Sequence, residues 1–299
     1  MRALVAGHLV LDSILTGGRA SESIGGPPAY MGLLLRRLGF EVTVATRVGR
    51  DFGDERLAQL LSAGISFASS PIIGSPTTRF EITILPRRRE MRIVSRCGDI
   101  PPPSAGHREY DIVLLNPVAG EISPKSLPRY KEASRFIYVD PQGFLRKIDE
   151  GRVTLGANTS LKGVLSVVDA MKVDVEEGRA LTGMKDCRRI SSELMSLGVR
   201  EVLVTDGANG TFLRVGTELY HVRPPRIKAF DGVGAGDLLG AGYSAARMSR
   251  SPRDSLAFAM ACASCRIDRA GLGKIPEAEE VEGMAAELIP KVETLEGLG

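Results

Sequence analysis

The hydrophobic pattern of the first 64 positions leaves few folds open. RALVA at 2–6 alternates into a short buried strand. PAYMGLLLRRLG, from Pro28 to Gly39, has helical spacing, with Pro near its start and Gly at its stop. EVTVATRVG then reads as a strand, and DERLAQLLSAG as a helix ending at Gly64. Strand, helix, strand, helix predicts an α/β domain in which crossover helices cover a sheet. The rhythm resumes at 111. DIVLLN and FIYVD are strands around a helix rich in Lys and Arg, VDAMKVD leads into the helix VEEGRALTG, and SSELMSLG precedes the strand REVLVTDG. GTFLRV and ELYHV form a hairpin, and two helices, 252–268 and 277–288, follow.

One interval breaks this rhythm. TTRFEITILP and EMRIVSRC, between 77 and 95, alternate with period two and flank the basic run PRRREMR. That pattern predicts an antiparallel hairpin with a solvated, Arg-rich tip. An inserted hairpin within α/β sequence suggests a small β lid, formed by residues 77–95 together with about 12–24. No repeat, low-complexity tract or linker interrupts the chain, so residues 1–299 are expected to form one domain carrying this lid.

Chemistry is concentrated in FDGVGAGDLLGAGYSAA, from Phe230. Gly232, Gly234 and Gly236 precede an apolar, small-residue helix, and Asp237 falls in its first turn. Backbone N–H groups at a helix N-terminus are unpaired and attract anions, phosphate above all. Glycine lets the ligand approach the backbone closely. A carboxylate beside a phosphate site is electrostatically adverse unless it removes a proton from the attacking hydroxyl. The glycines alone would also suit a tight strand–helix turn capped by Asp. Other nucleotide motifs do not fit. Leu239 stands where G-x-G-x-x-G needs its last glycine, and GLGKI at 271–275 lacks the Ser/Thr of a phosphate-binding G-K-[ST] loop.

Composition excludes several classes. With 43% hydrophobic and 25% charged residues the chain is an ordinary globular protein, and a net charge of +3 without a dense basic face argues against a nucleic-acid partner. No run of 18 apolar residues calls for a membrane, and the N-terminus lacks a small-residue cleavage site, so a cytoplasmic protein is expected. Four cysteines are too few for a disulfide scaffold. Cys262 and Cys265 form a C-x-x-C inside a helical run, where buried packing outweighs metal binding. Thirty Arg against nine Lys, and only five Asn plus Gln, hint at a thermophile, although a GC-rich genome also raises Arg.

These motifs, in this order, resemble the PfkB, or ribokinase-like, family of sugar and nucleoside kinases, over nearly the whole chain. DGVGAGD resembles the family's D-T-x-G-A-G-D, GHLVLDSI its first strand with a substrate-binding aspartate, and GGPPAY its Gly-Gly substrate motif. RVGRDFGDERLAQLLSAGIS is similar to its G-x-D-x-x-G segment, DVEE to N-x-x-E, and VTDGANGTFL to T-x-G-x-x-G. The resemblance implies a ribokinase-like three-layer α/β/α sandwich with a central, mostly parallel sheet and a small β lid. It implies that Asp237 is the catalytic base and that Gly234, Ala235 and Gly236, with the Asp237 N–H, form the anion hole. Asp12, Gly25, Gly26 and position 30 would meet the acceptor. Asp174, Thr205, Gly207 and Gly210 would line the nucleotide site beside Gly234 and Gly236, and Glu177 with Asp174 would hold Mg²⁺ through water. ATP would be the phosphoryl donor.

Three positions depart from the family pattern. The motif Thr is Gly232, the Asn of N-x-x-E is Asp174, and the substrate-motif Asn is Tyr30. The last removes an amide that would bind sugar hydroxyls. LLNPVAGEI at 114–122 and YVDPQGFLR at 138–146 resemble segments of archaeal myo-inositol kinases of this family, which points to a cyclitol acceptor. Asn116 and Gln142 are then candidate amide contacts to acceptor hydroxyls, although turn chemistry beside Pro117 and Pro141 accounts for them equally well. Arg146 is a candidate to face a phosphate. A nucleoside kinase would need aromatic rings for the base, for which Tyr30 and Phe144 are the candidates. Ribose or fructose kinases, and a non-catalytic polyol-binding protein on the same fold, are the other readings. The partners expected are a polyol and a nucleotide, with a possible homodimer through the lid.

Overall fold

The computed structural model describes residues 1–16, 19–85, 88–104, 108–225, 233–267 and 275–296. Gly232 of the glycine motif and residues 86–87 at the Arg-rich tip lie outside them. In chain order the N-terminal half runs β1 (Arg2–Ala6), β2 (Val10–Thr16), β3 (Arg19–Gly25), α1 (Pro27–Arg37), β4 (Glu41–Ala45), α2 (Asp54–Ser62), β5 (Ile65–Phe67), β6 (Thr78–Leu85), β7 (Arg88–Ser95), β8 (Tyr110–Leu115), α3 (Leu127–Glu132) and β9 (Ser134–Val139). Then follow α4 (Gln142–Leu145), β10 (Arg146–Asp149), β11 (Arg152–Leu155), α5 (Thr159–Lys162), β12 (Ala170–Asp174), α6 (Val175–Thr182), α7 (Cys187–Ser196), β13 (Glu201–Thr205), β14 (Thr211–Val215) and β15 (Glu218–Val222). The chain closes with α8 (Ala235–Ala246), α9 (Pro252–Ile267), α10 (Ala278–Leu288) and β16 (Glu293–Leu295).

Ten strands form one sheet in the order β16-β15-β14-β13-β12-β9-β8-β1-β4-β5. From β13 to β5 every neighbouring pair is parallel, and β14 to β16 extend the edge antiparallel. Alternate residues of each strand enter opposite cores, as the two-residue repeat requires. Ala3 and Val5 join α1, α8, α9 and α10 in one core, while Leu4 and Ala6 join α3, α6 and α7 in the other. The sheet is thus covered on both faces, which is why its central strands read as mostly apolar runs. The small residues of α8 have a packing role. A Cβ on Gly242 would lie 2.5 Å from Cys262 Sγ, so α8 and α9 approach to backbone contact there. Cys262 and Cys265 are both buried in that packing.

A second, six-stranded sheet has the order β10-β11-β7-β6-β2-β3. The period-two segments at 78–95 pair antiparallel as β6 and β7, and β2 runs parallel to β6. The β10–β11 hairpin was not anticipated from the sequence. It adds to β7 through Arg152 opposite Arg92. The joint between the sheets is built on Glu121, a buried carboxylate that accepts the N–H groups of His8 (2.9 Å), Val118 (2.9 Å) and Ala119 (2.7 Å). His8 in turn bridges Thr78 Oγ1 and the Gly98 carbonyl, both at 2.8 Å.

Candidate active site

The helix that follows the glycine motif opens at Gly234, whose φ of 80° is a left-handed conformation that favours glycine. A Cβ there would also sit 2.9 Å from the Tyr30 ring. The first intrahelical bond runs from the Leu238 N–H to the Gly234 carbonyl. The N–H groups of Ala235, Gly236 and Asp237 therefore have no partner within the helix, the condition for an anion site. Gly234, Gly236 and Asp237 line a cavity of about 490 Å³.

That cavity lies between the two sheets. From the main sheet and its helices come Asp140, Lys172, Asp174 and Glu177; from the second sheet come Val10, Asp12, Phe80, Ile82, Met91 and Val153–Leu155. Tyr30 of α1, and Gln142 and Arg146, complete the wall. Asp12 packs so closely over Gly25 that a Cβ on Gly25 would meet its Oδ2 at 2.0 Å, which accounts for the first glycine of the Gly-Gly pair.

Asp237 is held by a chain of hydrogen bonds. Asn116 Nδ2 donates to Asp237 Oδ1 at 3.0 Å, and Gln142 Nε2 donates to Asn116 Oδ1 at 3.0 Å. Arg146 Nη2 donates to Gln142 Oε1 at 2.6 Å, and its Nη1 to the Val118 carbonyl at 2.8 Å. Burial, reinforced by the charge of Asp140, pushes the Asp237 carboxyl up to about 7, against the opposing pull of Lys172, Asn116 and Arg146. A carboxyl poised near neutrality suits proton abstraction from a hydroxyl.

A second charged cluster lies beside it. Lys172 Nζ donates to Asp140 Oδ2 at 2.7 Å and is 3.9 Å from Glu177 Oε2. Burial disfavours the ammonium, but Asp140 and Glu177 together hold its pKa well above the ordinary lysine value. Burial raises Glu177 to about 7 despite Lys172. Asp174 caps α6: its Oδ1 accepts the Glu177 N–H at 2.7 Å, and Glu177 Oε2 accepts the Asp174 N–H at 2.9 Å.

Residues 145–278 match the pfkB family carbohydrate kinase model. Inositol 3-kinase of Zea mays is 30% identical over 268 residues, covering 82% of this chain and 66% of the maize enzyme. The chain belongs to the pfkB family of carbohydrate kinases. As a pfkB kinase it is a phosphotransferase with an alcohol group as acceptor. 1-Phosphofructokinase of Vibrio cholerae is 25% identical over 280 residues, 89% of this chain and 86% of that enzyme. A pyrophosphate-dependent kinase of the ribokinase family, solved with a pyrophosphate analog and myo-inositol, superposes with a TM-score of 0.81 at 23% identity, over 95% of this chain and all of that one. The three-layer sandwich expected from the sequence is therefore the ribokinase fold.

In this pfkB kinase the residues singled out from the sequence divide into groups. Asp12, Gly26, Tyr30, Gln142, Arg146, Asp174, Glu177, Gly234, Gly236 and Asp237 share one cavity. Asn116 does not line it; it is fully buried, with its amide engaged by Asp237 and Gln142. Arg146 caps Gln142 and lies 5.5 Å over the Phe80 ring. Phe144, the candidate for stacking on a base, is instead buried in the core cluster that includes Leu145 and Leu181, and it does not line the cavity. Thr205, Gly207 and Gly210 form the β13–β14 turn, one strand over from the cavity, where Thr205 is in register with Asp174. Asp140 and Lys172 were missed. A lysine inside the otherwise apolar strand AMKV was the available signal, since lysine is buried only when paired.

Proposed function

We propose that this kinase transfers the γ-phosphoryl group of ATP to a hydroxyl of a cyclitol or sugar, with myo-inositol as the acceptor it prefers. The observation that carries this reading is that Asp237, on the first turn of the glycine-entered helix, faces the same cavity as Asp12. The phosphoryl group would seat on the N–H groups of Ala235, Gly236 and Asp237. Asp12 would accept hydrogen bonds from two neighbouring acceptor hydroxyls, and Asp237 would take the proton of the attacking one. Tyr30 supports a ring-shaped acceptor, since it replaces a sugar-binding amide with a flat apolar wall. The 30% identity to a plant inositol 3-kinase points the same way.

Asp174 and Glu177 suit Mg²⁺, because both line the cavity and offer hard carboxylate oxygens. When bound, the ion would neutralise charge on the donor phosphates. Thr205, Gly207 and Gly210 are assigned to the nucleotide. The second sheet would act as the lid, because Phe80, Ile82, Met91 and Val153 cover the acceptor side and would exclude water that competes for the phosphoryl group.

A coupled assay tests the reading, ranking myo-inositol, ribose, fructose, cytidine and adenosine with ATP or pyrophosphate as donor. Myo-inositol is expected to give the highest kcat/KM. A clear preference for ribose or a nucleoside would overturn the cyclitol assignment, and a donor preference for pyrophosphate would overturn ATP.

A further inference from the structure

The cavity contains five carboxylates, Asp12, Asp140, Asp174, Glu177 and Asp237, and only two cationic side chains among its described lining residues, Lys172 and Arg146. A phosphoryl donor brings further negative charge, so the position of each cation matters. Arg146 is committed to the Val118 carbonyl and Gln142. Lys172 is placed differently. Its Nζ lies 3.4 Å from the point where a Cβ on Gly236 would sit, directly beside the first turn of α8. Its ammonium has three N–H donors. Among the described residues Asp140 is the group within hydrogen-bond distance, and Glu177 at 3.9 Å lies beyond it. Burying such a pair gains little stability over an apolar pair of the same size, so stability gives no reason for a lysine here.

We propose that Lys172 is a catalytic residue: its ammonium contacts the transferred phosphoryl group at the N-terminus of α8, while Asp140 holds it in place. This rests on the reading of the cavity as the phosphoryl-transfer site. In the step itself the acceptor oxygen bonds to phosphorus, the bond from phosphorus to the bridging donor oxygen breaks, and the hydroxyl proton passes to Asp237. Lys172 keeps its protons throughout and stabilises the charge on the phosphoryl oxygens. Gly236 belongs to the same device, because a side chain there would stand between Nζ and the helix end.

The alternative is that Lys172 merely neutralises Asp140. Lys172→Met, Asp140→Asn and the double variant separate the two. The double variant removes both charges together and keeps the fold testable if Lys172→Met alone does not fold. Three readings are taken: kcat, Tm, and the rise in Tm on adding inorganic pyrophosphate. The double variant is expected to melt within a few degrees of wild type, to lose about 10²–10³-fold in kcat, and to lose the pyrophosphate-induced rise. Asp140→Asn is expected to stay within about tenfold of wild type, by the same scale, and to keep the rise. Wild-type kcat in the double variant would overturn the proposal, as would a loss in Asp140→Asn as large as in the double. If wild type phosphorylates no acceptor, the kinase reading of the cavity fails separately. The pyrophosphate response then decides: its loss with Lys172 supports the contact, and its persistence overturns it.

Discussion

At the scale of single residues, the proposed role sets two conflicting demands on Asp237. As a base it would have to be ionised to take a proton, yet burial and Asp140 favour its neutral form, up to about pH 7. Asp237→Asn keeps the hydrogen bond from Asn116 available but cannot accept the proton. Its kcat is expected to fall about 10²–10⁴-fold with little change in KM for the donor; a folded variant with near-wild-type kcat would reduce Asp237 to a helix-end residue. Stability should move the other way. Because the folded-state pKa lies above the unfolded value, the native state holds the proton more tightly, so this group destabilises the protein increasingly as pH rises from about 4 to about 7. The Asn variant should therefore melt above wild type by a margin that widens over that interval and then levels off. A margin independent of pH would contradict the assigned environment. Asp237 and Gly234 were legible in the sequence because a helix entry is local. Lys172 and Asp140 were not, because they meet only through the pairing of β9 with β12, where Val139 lies opposite Met171 and Asp140 and Lys172 are the next residues along each chain.

Among the elements, α6 was expected from the sequence as the helix VEEGRALTG, whereas the β10–β11 hairpin escaped notice. Its strands are four residues long, and its two-residue turn is Glu150-Gly151, with φ of 45° and 80°. Such turns are announced by Asn-Gly or Asp-Gly; Glu in the left-handed region carries no such signal, and only the pairing with β7 makes the strands worthwhile. Asp174 at the head of α6 has both a capping and a proposed metal-binding role, and substitutions can part them. Asp174→Ala should cost about 1 kcal/mol through the lost cap. Asp174→Ser retains a cap and should melt close to wild type, yet require more Mg²⁺ for half-maximal rate. An unchanged Mg²⁺ requirement in the Ser variant would leave Asp174 with the cap alone.

Across the whole molecule, the site exists because two sheets are held in a fixed relation. Glu121 provides much of that relation by accepting three backbone N–H groups, from His8 at the exit of β1 and from Val118 and Ala119 after β8. Glu121→Ala would strand three buried donors, each costing about 1–3 kcal/mol, so a loss of at least about 3 kcal/mol is expected in chemical denaturation. A loss below 1 kcal/mol would show that the joint is held elsewhere. The sequence by itself determined the α/β class, the inserted hairpin at 78–95 and the glycine-entered helix with its aspartate, because periodicity, caps and turns act over a few neighbouring residues. Only the tertiary structure decided that Asn116 faces Asp237 rather than the cavity, that Arg146 ends a relay to it, and that Lys172 lies beside Gly236. Asn116 and Asp237 are 121 positions apart, Asn116 and Gln142 26, and Asp140 and Lys172 32, and what brings them together is the strand order and register of a sheet, which no local pattern encodes.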